Sequence, residues 1–160
     1  MFWKHLATLA STVFITQTVA QSIDPSDAFL RCIAGRNDSG IQTIQPSSPS
    51  WSQSIEPFNL RLHYEPLLLV VPETAKQVAT AVNCARSHKV KVQSRSGGHS
   101  YGAMGLGGKN GSLVIDLKKF NSIAVDGETV TVGPGVRLGN LAIALFENGK
   151  RAVPHGICPG

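Results

Sequence analysis

The residues best suited to chemistry in this 160-residue chain are Arg95-Ser96-Gly97-Gly98-His99-Ser100-Tyr101-Gly102, followed closely by Gly105, Gly107 and Gly108. Glycines at 97, 98, 102 and 105 can turn successive backbone N–H groups towards one point, an anion nest of the kind that holds a pyrophosphate. The same glycines would equally serve a tight surface turn. His99 lies inside this loop, where an imidazole faces a ligand rather than a packed core, although a lone His is by itself only a polar group. A second reactive group is Cys158, flanked by Gly156, Pro159 and Gly160, so that a bulky partner can approach the sulfur. Taken alone, an unpaired cysteine near a chain end is more often incidental. His155 and Cys158 form a His-x-x-Cys without a second pair, so no metal site is read there. Neither G-x-G-x-x-G nor the P-loop occurs: Ala103 stands where the first P-loop glycine must be, and Asn110 where its hydroxyl must be.

These loops need elements to hold them. The apolar block from Leu67 to Val71, closed by Pro72, reads as a strand buried on both faces. Thr74 is placed to cap a helix from Ala75 to Lys89 whose apolar side is Val78, Ala81, Val82 and Ala85. Val90 to Ser94 alternates and forms a second strand, so residues 67–94 make a parallel strand-helix-strand unit with a right-handed crossover. Ligands of such units sit beyond the carboxyl ends of the strands, where the Arg95–Gly102 loop begins. Strands follow at Leu113 to Asp116, Ile123 to Asp126 and Thr129 to Val132, then a helix from about Arg137 to Glu147 and a short strand at Ala152 and Val153. Upstream, Pro25, Pro46, Pro49 and Pro57 leave residues 21–65 an extended wrapping segment with one short helix near Ser26 to Ala34.

Charged residues are 16% of the chain, against 42% hydrophobic, which excludes a disordered or polyampholyte protein. The formal net charge of +5 is spread over scattered Lys and Arg rather than a basic tract with interleaved aromatics, so nucleic acid is not read as a partner. Met1 to Ala20 has a basic residue at Lys4, an uncharged run from Leu6 to Val19 and small Ala20, the pattern of a signal peptide (1–20) removed on secretion to the extracellular space. Its Thr, Ser and Gln residues make it too weak a span for a membrane anchor. Export favours thiol pairing among Cys32, Cys84 and Cys158, and an odd number leaves one over. A bridge from Cys32 to Cys84 would contribute about 3–4 kcal/mol on loop-entropy grounds and leave Cys158 spare. Asn37 and Asn110 each begin an Asn-x-Ser glycosylation triplet.

Together, the segment from Arg95 to Gly102 and the segment His155-Gly156-Ile157-Cys158-Pro159-Gly160 resemble the two flavin-attachment motifs of the berberine-bridge-enzyme-like, glucooligosaccharide-oxidase-like flavoproteins of the vanillyl-alcohol-oxidase superfamily. Leu113 to Leu117 and Val132-Gly133-Pro134-Gly135-Val136 resemble the same family's FAD-binding domain. The resemblance implies an α+β fold: a PCMH-type FAD-binding domain over residues 66–160, comprising an N-terminal subdomain with the strand-helix-strand unit and part of a second subdomain, cut short on its C-terminal side. It implies a bicovalent FAD, with His99 bonded to the 8α methyl and Cys158 to carbon 6 of the ring, and a disulfide between Cys32 and Cys84. Cofactor contacts would come from Arg95, Ser96, Gly97, Gly98, His99, Ser100, Tyr101, Gly102, Gly156 and Cys158. Tyr101 would line the substrate pocket by resemblance, or support the loop as a half-buried aromatic.

The implied activity is that of an FAD-linked oxidoreductase that oxidises a carbohydrate or secondary alcohol by hydride transfer, with oxygen as acceptor. Two links would fix the plane of the flavin and raise its potential. No residue here can be assigned as the catalytic base, which in that family comes from a further domain. The second expectation, of a different class, is a truncated non-catalytic secreted fragment that does not hold FAD.

Overall fold

The computed structural model describes residues 24–36 and 40–157. The leader, Asn37 and Cys158 lie outside the described residues. Helix α1 (Pro25–Ala34) starts at Asp24, whose side chain accepts from the Ser26 hydroxyl and backbone N–H at 2.6 and 2.7 Å. Those two bonds, the hydroxyl's first, hold the Asp24 carboxyl below its ordinary range, and Pro25 follows at the first helical position, where its missing N–H costs nothing. The segment read as extended also contains strand β1 (Gln42–Ile44) and the single-turn helix α2 (Trp51–Ser54).

Strand β2 (Leu68–Val71) is buried along its whole length, and its side chains divide by the period of two that a strand imposes. Leu68 and Val70 enter one apolar cluster with Phe29, Ile33, Ala81, Cys84 and Ala85. Leu69 and Val71 enter another with Ile44 and Val114, against Trp51 and Ile55. Helix α3 (Ala75–Ser87) therefore covers one face together with α1, and α2 covers the other. Thr74 caps α3 by accepting from the Gln77 N–H at 3.2 Å, while Gln77 accepts in return from the Glu73 N–H at 2.7 Å. A disulfide joins Cys32 of α1 to Cys84 of α3.

Strand β3 (Val92–Arg95) and strand β4 (Leu113–Asp116) complete a sheet of order β1-β2-β4-β3. β4 runs parallel to both β2 and β3, and β1 pairs antiparallel with β2. The strand-helix-strand unit has its two strands parallel, as expected, with β4 lying between them. Strands β5 (Ile123–Asp126) and β6 (Thr129–Val132) form a separate antiparallel pair turned at Gly127, which has φ +53°. Helix α4 (Leu138–Glu147) contacts β5. The strand expected at Ala152 and Val153 does not form: the chain folds back on α4 instead, with the Arg151 N–H donating to the Leu145 carbonyl and the Arg151 guanidinium to the Gly127 carbonyl. Among the described residues no helix is long and apolar enough to cross a membrane, and no cluster of His, Cys, Asp and Glu is arranged to hold a metal ion.

Candidate cofactor site

β2, β3 and β4 are parallel, so their carboxyl ends lie on one side of the sheet, and the site is built there. Arg95 and Asp116 are register partners at the ends of β3 and β4. Asp116 shares the parity of Val114 and so projects towards the α2 face. There it accepts from the Arg95 guanidinium at 2.7 Å and from the Lys118 backbone N–H at 3.1 Å. The other arm of Arg95 donates to the Ser54 carbonyl at the end of α2, also at 2.7 Å. One largely buried cation thus ties two strands and the opposing helix into the floor of a cleft.

The loop after β3 follows from its glycines. Gly98 takes φ +75°, a conformation that side chains oppose. A Cβ on Gly97 would stand 2.7 Å from His99 Cε1 and 3.1 Å from Arg137 Nη1, so the absent side chain lets imidazole and guanidinium converge. The loop doubles back through a 3-10 turn at Met104–Leu106, bringing Gly105 against the Cα of Gly98. From outside, Phe58 meets the His99 ring edge-on at 5.5 Å and the Tyr101 ring at 5.4 Å, and Asn59 Nδ2 donates to the Tyr101 carbonyl at 2.9 Å.

The cleft has two lobes. The larger, about 700 Å³, lies between Ser50–Phe58 and the glycine loop and includes Arg95 to His99, Asp116, Lys118 and Arg137. The smaller, about 330 Å³, is bounded by Ser96, Gly97, His99, Val136, Arg137, Leu138, Gly156 and Ile157. Volumes of this order suit a large elongated ligand. Of the residues singled out in the sequence, Arg95 to His99 and Gly156 line the cleft. Ser100 turns inward to the loop, its hydroxyl accepting from the Met104 N–H at 3.3 Å. Tyr101 is 77% exposed and, with Gly102, lies outside both lobes; it is therefore not half-buried, and its ring meets Phe58 in a T-shaped contact. Asn110 is exposed, and its Oδ1 accepts from the Glu65 N–H at 2.9 Å.

Two contributors were not legible as site residues in the sequence. Phe58 is an isolated aromatic in a proline-rich stretch. Arg137 was one of many scattered cations, although its place directly after Gly133-Pro134-Gly135-Val136 was a usable signal. That segment is pinned beside the turn after β4: the N–H groups of Gly133 and Gly135 each donate at 2.9 Å, to the Ser122 and Phe120 carbonyls, and the Ser96 hydroxyl donates to the Pro134 carbonyl. A Cβ on Gly135 would overlap the Leu117 carbonyl oxygen. Gly135→Ala should therefore cost about 1–3 kcal/mol by overpacking. Urea unfolding measures it, and an unchanged midpoint would show that the two segments do not touch.

A glycine loop at the carboxyl ends of parallel strands, opening on a cleft with partly buried arginines and an imidazole, defines a nucleotide-cofactor domain of mixed helix and strand. The family model described as FAD binding domain matches residues 66–159, and the chain belongs to that family. It is 46% identical over 158 residues to a xylooligosaccharide oxidase of Thermothelomyces thermophilus, covering 98% of this chain and 31% of the relative. Among solved structures, a BBE-like protein of Physcomitrella patens superposes with a TM-score of 0.77 at 38% identity, over 82% of this chain and 28% of that one. A glucooligosaccharide oxidase of Acremonium strictum, described as carrying a 6-S-cysteinyl, 8α-N1-histidyl FAD, gives a TM-score of 0.73 at 32% identity over 81% and 27%. The chain thus spans about a quarter to a third of the length of the relatives it matches.

Proposed function

We propose that this chain is the flavin-anchoring part of a secreted FAD-dependent carbohydrate oxidase, with His99 and Cys158 as the two attachment points. The observation that carries the reading is that His99 and the pair Gly156–Ile157, which immediately precedes Cys158, line one lobe of the same cleft. The residues present fit the group: backbone glycines shape the loop, and Arg137 Nη1 is a buried donor without a partner among the described residues. When bound, FAD supplies hydride acceptance from a sugar or alcohol carbon and delivery of the electrons to oxygen.

The chain's own residues hold and orient. Arg95, fixed by Asp116 and Ser54, sets where the loop leaves the sheet. Phe58 holds the imidazole edge-on, restricting its rotation. The sugar class follows the named activities of the relatives, xylooligosaccharide and chitooligosaccharide oxidases among them.

Expressed with FAD and precipitated with acid, the chain should give a yellow pellet whose flavin cannot be washed away. His99→Ala and Cys158→Ala should each remove one link, visible as a changed flavin spectrum, and the double variant should give a colourless pellet. Flavin still doubly attached in either single variant would refute the assignment. A colourless pellet from the unsubstituted chain would favour the non-catalytic reading instead.

A further inference from the structure

We propose that Arg137 is a flavin-holding residue whose Nη1 donates to an acceptor on the cofactor's ring system; this rests on the FAD reading above and adds to it a residue outside both attachment motifs. Arg137 Nη1 is shielded from solvent and has no hydrogen-bond partner among the described residues. A buried charged donor is normally satisfied, and one left open at a cleft marks where a ligand atom belongs. The acidic group of the cleft floor is not its partner: Asp116 is engaged by Arg95 and by the Lys118 N–H and makes no bond to Arg137 Nη1.

The position of Arg137 says which part of the ligand it meets. It borders both lobes and converges with the His99 ring on Gly97. The smaller lobe has Val136, Leu138 and Ile157 as its apolar walls, beside Ser96 and His99. Apolar walls suit a flat aromatic system and would leave a doubly charged phosphate poorly solvated. The backbone of Arg137 is also held in place: it stands at the N-cap of α4 and follows closely on the segment pinned by Gly133 and Gly135.

The test uses the full chain carrying His99→Ala and Cys158→Ala, so that neither link forms and affinity is an equilibrium quantity. Calorimetric titration with FAD and with ADP is then repeated with Arg137→Met and with Arg137→Lys added. Arg137→Met should weaken FAD about 10- to 100-fold, the loss of one charge-assisted hydrogen bond, and ADP by less than about threefold. Arg137→Lys should recover part of the FAD loss. Without ligand, the Met variant should melt no lower than its parent, because it removes a buried donor atom that has no partner among the described residues. Unchanged FAD affinity, equal losses for FAD and ADP, or a lowered melting temperature in both variants without ligand would overturn the proposal, as would a parent that binds no FAD. The FAD reading itself is judged separately, by the pellet from the unsubstituted chain.

Discussion

Asp116→Ala should remove about 3–5 kcal/mol of folding stability, a large share of the 5–15 kcal/mol that holds a typical domain together. The side chains of Arg95 and Asp116 are only 13% and 7% exposed, so deleting the carboxylate leaves a guanidinium where water solvates it poorly. Most of the loss is the cost of that stranded charge rather than the value of the pair. Arg95→Met combined with Asp116→Leu should therefore be milder than Asp116→Ala alone, though not neutral, since the bond from Arg95 to the Ser54 carbonyl goes as well. Urea unfolding of the single and double variants decides it. A single variant that loses less than about 1 kcal/mol would mean that the pair is solvated.

Cys84→Ala should lower stability by about 4 kcal/mol, the loop-entropy value for the 52-residue separation of the bridge. For a chain of this size that is a fall of roughly 10 °C in melting temperature. Cys84 is completely buried, but exchanging its sulfur for hydrogen vacates little volume, so the effect belongs chiefly to the lost cross-link. Cys32→Ser and mild reductant should reproduce the fall. Melting within about 2 °C of the unsubstituted chain in all three would show that α1 stays docked on α3 through Phe29 and Ile33 alone.

Where the sequence was legible, local patterns were strong. Leu113 to Asp116, Ile123 to Asp126 and Thr129 to Val132 are strands over the expected residues because short apolar or alternating runs are bounded by Gly and Asp-Gly turn signals. The capped helix after Thr74 formed, ending two residues early at Ser87. β1 was missed because Gln42–Ile44 has no pattern of its own and is a strand only through pairing with β2. Ala152 and Val153 failed in the opposite way, as apolar residues with strand composition but no ladder to join among the described residues. The glycine loop announced itself, and its partners did not. Contacts such as Asn59 with Tyr101, or Arg137 with the Gly97 turn, join residues about 40 apart, which no local spacing reveals.

The strand order carries a consequence for how the chain is made. β2 and β3 touch only through β4, so during synthesis the first two parallel strands emerge with no partner of their own direction. The central slot stays open until Asp116 has left the ribosome, and Arg95 cannot find its counter-charge before then. The glycine loop is a tether between β3 and β4, and its contacts with Pro134 and Arg137 wait until those residues, too, have emerged.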